Sequence, residues 1–258
     1  MYRARPSDGC AWVTGASSGI GRGVALELAR RGFKVIITAR RADELKLVCE
    51  DSKGLPGEIH AEPCDITDRE AIQSLIERIT HNYGPIALAF LNAGTFFKDR
   101  PGEFGGDGFR KTFVLNVDGT INCLGPVISA MAEQGIGQIA VNASLAGYGG
   151  MPRSIAYSAS KAALIVMCEA LKFDLDKRGL TLQIVNPGFV KTPLTDNNDF
   201  PMPFLIELDD ASRRICDGFE SGGFEIAFPR GLVWPLKLIN LMPYWLYFPL
   251  MRWITKGA

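Results

Sequence analysis

Cys10-Ala11-Trp12-Val13-Thr14-Gly15-Ala16-Ser17-Ser18-Gly19-Ile20-Gly21 is the stretch that decides the fold of this chain. Its first residues read as a short buried strand. Three glycines follow in a GxxxGxG spacing, and Val24, Ala25, Leu28 and Ala29 then repeat with a helical period. A strand, a glycine-rich turn and a helix make a phosphate cradle. The glycines permit a tight turn and close backbone approach, and the helix N-terminus offers unpaired N–H groups to a pyrophosphate. The spacing differs from the more familiar GxGxxG form.

The same alternation continues outward from this unit. Strand-like apolar runs are expected at 11–14, 34–38, 58–62, 86–91, 138–142 and 181–185, with a weaker one at 223–228. Helical patterns lie between them at 19–31, 42–52, 68–82, 110–134 and 154–177. Repeated βαβ units predict an α/β fold of Rossmann-like, doubly wound type: a mainly parallel seven-stranded sheet with helices on both faces. Ligands in such sheets bind beyond the strand C-termini, where the strand order switches. Gly15, Asp65, Asn92 and Ser144 all fall just after strands, so one cleft can collect them.

Length and composition bound the function. A chain of 258 residues, 47% hydrophobic, suits one large domain over 1–258. Its 28 basic residues match its 28 acidic ones, which argues against nucleic-acid binding. Cysteines 10, 49, 64, 123, 168 and 216 are scattered without CxxC spacing and read as reduced core residues. With only His60 and His81, a histidine triad or a metal centre is not expected. The N-terminus has no apolar signal region, so a cytoplasmic location is expected.

The chemistry is expected from Tyr157-Ser158-Ala159-Ser160-Lys161, with Ser144 thirteen residues upstream. A phenol has a pKa of about 10 and is a poor proton carrier at neutral pH. A lysine at i+4 on the same helix face favours the phenolate, which can then exchange a proton with a carbonyl or alcohol oxygen. Ser144 supplies a second hydrogen bond to that oxygen.

Together these segments resemble the short-chain dehydrogenase/reductase superfamily in its single-domain form, over residues 10–195. Thr14 to Gly21 is similar to the family's cofactor turn, so the resemblance assigns Gly15, Ser17, Ser18, Gly19, Ile20 and Gly21 to the cofactor. Asp65-Ile66 matches the acidic position after the third strand that contacts the adenine. Asn92-Ala93-Gly94 matches the motif closing the fourth strand, although Leu91 stands where many members have a further asparagine. Asn116, Ser144, Tyr157 and Lys161 match the catalytic set. Pro187-Gly188-Phe189-Val190-Lys191-Thr192 matches the segment holding the nicotinamide, with Pro187, Gly188, Val190 and Thr192 as contacts. The resemblance further gives Lys161 the nicotinamide ribose, and Asn116 a water linking Lys161 to solvent. An asparagine bonded to backbone inside a helix is compatible with that role.

The second strand ends Ile36-Ile37-Thr38-Ala39-Arg40-Arg41. A carboxylate here would bond the ribose 2′-hydroxyl of NAD and repel a 2′-phosphate. Ala39 stands where NAD-preferring relatives carry Asp, and a guanidinium suits phosphate. The expected cofactor is therefore NADP(H), with Arg40 the main contact and Ser17 a helper. The expected function is an NADP(H)-dependent oxidoreductase that moves hydride between nicotinamide and a lipophilic carbonyl or alcohol, with Tyr157 as general acid/base. Alternatives are an NADP⁺-linked dehydrogenase of a sterol-like or long-chain alcohol, a 3-ketoacyl-thioester reductase, and a non-catalytic NADP(H)-binding redox sensor. The resemblance implies a homodimer or homotetramer.

Past Thr192 the resemblance thins. Residues 193–220 are expected to form a substrate lid ending in a helical stretch at 207–220, and Gly147, Gly149 and Gly150 a second rim. Leu145, Met151, Phe189, Leu194 and Met202 are candidates for an apolar pocket wall. The tail at 230–258 holds Trp234, Tyr244, Trp245, Tyr247, Phe248 and Trp253, with no acidic residue after Glu225. Pro235, Pro243 and Pro249 argue against a spanning helix. Packing over the pocket or at a subunit interface is the preferred expectation, and peripheral membrane contact the alternative.

Overall fold

Strands β1 (Cys10–Thr14), β4 (Ile86–Leu91), β5 (Gln138–Asn142) and β6 (Thr181–Pro187) are buried at every residue, as parallel strands covered on both faces must be. The computed structural model describes residues 2–97, 105–196 and 201–255. With β2 (Lys34–Thr38), β3 (Glu58–Ala61) and β7 (Glu225–Phe228) they form one sheet in the order β3-β2-β1-β4-β5-β6-β7. Every pairing is parallel. β6 runs past the expected Val185 because Pro187 still pairs with Phe228 of β7.

Helices cover both faces. On one lie α1 (Gly19–Arg30), α2 (Ala42–Asp51) and α7 (Leu208–Ser221), sharing a core with Val24, Leu28, Leu45, Ile215 and Phe219. On the other lie α3 (Arg69–Tyr83), α5 (Gly119–Gln134) and α6 (Ile155–Lys177), whose Ile72, Leu75, Val127, Met131, Leu164 and Cys168 form a second core. The helix expected at 110–134 starts earlier, with α4 (Asp107–Phe113), and joins α5 through one π-helical turn, Val114–Asp118. Single π turns inside α-helices often mark functional positions, and this one carries Asn116.

α1 and α7 approach closely, since a Cβ on Gly23 would stand 2.2 Å from the Ser212 Oγ. The segment expected as a lid therefore divides. Its helix is α7, part of the core, while Val190 and Ile206 pair as an isolated bridge that closes the neck of the loop between them. Residues 197–200 of that loop lie outside the described residues. The tail forms α8 (Arg230–Asn240) and α9 (Tyr244–Ile254), with Pro235 and Pro249 inside them; residues 256–258 are outside the description.

Candidate functional site

The strand order switches between β1 and β4, and there the glycine turn meets the loop after β4. Gly15 has φ +65°, and a Cβ on it would lie 2.6 Å from the Ala93 Cα. A Cβ on Gly21 would lie 2.4 Å from the Gly15 carbonyl oxygen, so helix and turn are pressed together. Asn92 fastens the two loops. Its Nδ2 donates to the Thr14 and Gly15 carbonyls (3.1 and 3.3 Å), while the Thr14 hydroxyl accepts from the Asn92 and Ala93 N–H groups (2.9 and 3.1 Å). Ser18 precedes α1 without a side-chain cap, so the positive end of the helix faces the cleft.

This cleft is a cavity of about 420 Å³. Gly15, Ser17, Ser18, Gly19, Ile20, Arg40, Asp65, Ile66, Asn92, Ala93, Gly94, Ser144, Tyr157, Lys161, Pro187, Gly188, Val190 and Thr192 all stand in its wall. Gly21 lies behind the turn and Asn116 behind Gly94. Of the five apolar candidates, Leu194 is in the wall and Leu145 is buried beside it; Met151, Phe189 and Met202 are not among the residues lining it.

At one end the wall carries two arginines and no carboxylate from β2. The Arg40 Nη1 stands 3.9 Å from an Asp65 oxygen, and the other Asp65 oxygen accepts from the Thr67 N–H and hydroxyl (3.0 and 2.9 Å). Arg41 donates to the Ser17 hydroxyl at 3.2 Å and pairs with Glu44 at 2.7 Å. Sequence reasoning singled out Arg40 and left Arg41 aside. The signal was the tandem pair, but only the turn out of β2 shows that both guanidiniums reach the wall.

At the other end, Ser144 closes β5 and caps a 3₁₀ turn, Leu145–Gly147, by accepting from the Ala146 N–H at 3.1 Å. Its hydroxyl also stands beside the Tyr157 phenol in the first turn of α6 and favours the ionised phenol. Phe96 packs edge-on against the Tyr157 ring, centroids 5.4 Å apart. Lys161 follows one turn later, 3% exposed, its Nζ 5.7 Å from the Tyr157 ring centre and donating to the Asn142 carbonyl at 2.7 Å. Burial raises the Tyr157 phenol above its ordinary 10, and the neighbouring Ser144 hydroxyl opposes that rise. Burial also pushes the Lys161 ammonium down, from 10.5 to about 8. The expected lowering of the phenol by Lys161 is not what the site shows: desolvation governs both groups, raising Tyr157 and lowering Lys161.

Asn116 is fully buried in the π turn. Its Oδ1 accepts from the Thr95 N–H at 2.8 Å, and its Nδ2 donates to the Thr95 carbonyl at 3.1 Å and the Ser160 hydroxyl at 3.0 Å. A Cβ on Gly94 would lie 3.2 Å from that Oδ1 and 3.5 Å from the Lys161 Nζ, so a glycine here lets amide and ammonium approach one surface. Asn142 and Ser160 were not anticipated. Each acts through a neighbour, Asn142 through its carbonyl on Lys161 and its Nδ2 on the Asn92 Oδ1 (2.9 Å).

An extended dinucleotide fits this wall. The glycine cradle has room only without side chains, cations line one end, and the Asn142 Oδ1 is buried in the wall without a partner among the described residues. No cluster of His, Cys, Asp and Glu among the described residues suits a metal ion.

The model of the family described as short chain dehydrogenase matches residues 9–201. An uncharacterized oxidoreductase of Myxococcus xanthus is 36% identical over 233 residues, 90% of this chain and 92% of that protein. A 3-oxoacyl-acyl-carrier-protein reductase of Thermotoga maritima is 30% identical, over 71% of this chain and 75% of its own. The crystal structure of a short-chain type dehydrogenase/reductase from Mycobacterium marinum superposes with TM-score 0.80 at 25% identity, covering 90% of this chain and 98% of that one. Glycine cradle, switch-point cleft and these likenesses agree: the chain belongs to the short-chain dehydrogenase/reductase superfamily of nicotinamide-dependent oxidoreductases.

Proposed function

We propose that this oxidoreductase reduces a lipophilic ketone or aldehyde with NADPH, reversibly, and that Tyr157 carries the proton. One observation supports this above the others: the Tyr157 phenol and the Ser144 hydroxyl line the same cavity as the glycine cradle and the arginine pair. Gly15, Ser17, Ser18, Gly19 and Ile20 would hold the pyrophosphate, Asp65 and Ile66 the adenine, and Asn92, Ala93, Gly94, Pro187, Gly188, Val190 and Thr192 the nicotinamide half. When bound, the nicotinamide supplies the hydride for reduction or accepts it in oxidation.

The chain's own residues handle the oxygen. Tyr157 Oη donates its proton to the substrate oxygen as negative charge grows there, and Ser144 donates a second hydrogen bond that positions it. Lys161, fixed against the Asn142 carbonyl, sets a positive charge near the phenol and favours its ionised form once the proton has gone. Asn116 holds Thr95 and Ser160, and so keeps the floor beneath Lys161 in register. Preference for NADPH follows from Arg40 and Arg41 with Ala39, where a carboxylate would repel the 2′-phosphate. The likeness to a 3-oxoacyl-acyl-carrier-protein reductase supports carbonyl reduction as the direction.

The test is a titration with NADPH and NADH followed by nicotinamide fluorescence, then a panel of aliphatic, aromatic and steroid ketones. Tighter NADPH binding and oxidation by one lipophilic class is the expected result. Tight binding with no turnover on any carbonyl would overturn the reductase and favour a sensor of the NADP(H) pool.

A further inference from the structure

The last two helices leave an apolar surface uncovered. α8 turns Val233 and Ile239 inward, and α9 turns Met251 inward. Outward stand Trp234 (62% exposed), Leu241 (82%), Trp245 (77%) and Trp253 (78%), with Leu238, Tyr244 and Phe248 among them. So three of the four tryptophans of the chain are presented to solvent on two consecutive short helices. Water alone does not stabilise so many large apolar side chains exposed close together in the chain, and exposed apolar surface on this scale marks an interaction site.

Charge tells the occupants apart. From residue 226 to the end there is no aspartate or glutamate, but there are Arg230, Lys237, Arg252 and Lys256. The chain as a whole is neutral, so positive charge is segregated onto this tail. The last carboxylate before it in the chain, Glu225, is already engaged by Lys237, by the Tyr148 hydroxyl at 2.5 Å and by the Asn186 amide at 2.8 Å. A two-fold contact with a second copy would set this patch against itself, bringing guanidiniums together with no carboxylate to answer them. An anionic bilayer offers the missing complement: tryptophan and tyrosine rings rest at headgroup level, and arginines meet lipid phosphates.

We propose that α8 and α9 form a peripheral docking surface for an anionic lipid membrane, with Trp234, Trp245 and Trp253 as anchors and Arg230 and Arg252 as phosphate contacts. Docking would also orient the catalytic cleft. The Tyr247 hydroxyl donates to the Gly150 carbonyl at 3.1 Å, fastening α9 to the rim that follows Ser144. A recess of about 490 Å³ lies between Gly149, Gly150 and the Pro243–Phe248 segment. A lipid-dissolved substrate would meet that rim first.

The test floats the full-length protein with phosphatidylcholine vesicles, with and without phosphatidylglycerol, at low and high salt. The protein is expected to float with the anionic vesicles, to release as salt rises, and to shift its tryptophan emission to shorter wavelength. Arg252→Glu should lower the vesicle partition at least fivefold, and Trp245→Glu combined with Trp253→Glu should abolish it, with NADPH binding retained in both as the sign of a folded chain. Full-length protein that stays unbound at both lipid compositions would overturn the proposal. So would a wild-type oligomer that Trp245→Glu dissociates while vesicles have no effect, which would assign the face to a second copy.

Discussion

Lys161→Met should make the protein more stable at neutral pH and less stable in mild alkali. In the folded chain the Lys161 pKa falls from 10.5 to about 8 because the ammonium is buried. At 1.36 kcal/mol per pH unit, holding that charge in the fold costs about 3 kcal/mol below pH 8. The folded value lies below the unfolded one, so the unfolded chain binds the extra proton between the two. The cost is therefore fully present below pH 8 and is relieved as pH rises towards 10.5. Methionine removes this cost but also removes the 2.7 Å hydrogen bond to the Asn142 carbonyl, worth about 1–2 kcal/mol. The variant should then be about 1–2 kcal/mol more stable than wild type at pH 7, and less stable by a similar amount at pH 10.5. Urea unfolding of both proteins at the two pH values measures the crossing. A stability difference that does not change with pH would refute the reasoning, because Lys161 would then titrate alike in the folded and unfolded chains.

Other consequences are testable with the same proteins. Replacing Arg40 and Arg41 together by alanine should lower the NADPH-over-NADH affinity ratio by roughly 10–100-fold, the range of a lost charged hydrogen bond or two, read from fluorescence titration. An unchanged ratio would remove the arginines from cofactor choice. Asn116→Ala deletes three hydrogen bonds in a buried turn and should cost about 2–4 kcal/mol of stability by urea unfolding. It should also reduce kcat more than it raises KM for the ketone, since Asn116 stands behind the wall rather than in it.

Much of this arrangement was legible in the chain because it is local. The run from Cys10 to Gly21 carries strand, turn and helix within one βα unit, and Tyr157 and Lys161 share a helix face by spacing alone. What the sequence concealed depends on distant contacts. The π turn around Asn116 has no residue signature; only the paired demands of Thr95 and Ser160 on one amide reveal why it is held there. The amphipathic pattern of 207–220 announced a helix, but not that Ala211, Ile215 and Phe219 would bury against α1 instead of closing a lid. In the tail, Pro235 and Pro249 obscured two helices that form despite them, with Pro235 and Pro249 each several residues inside. Tandem Arg40-Arg41 gave the charge but not which guanidinium would reach Ser17.

The central claim, that Tyr157 carries the proton, is tested most directly by Tyr157→Phe, assayed with NADPH on the ketone of the panel that wild type turns over best. The expected variant binds NADPH within about twofold of wild type, since the ring and its packing on Phe96 remain, and loses kcat by roughly 10²–10⁴-fold. Turnover at the wild-type rate would contradict the account and move the proton to another group in the cleft.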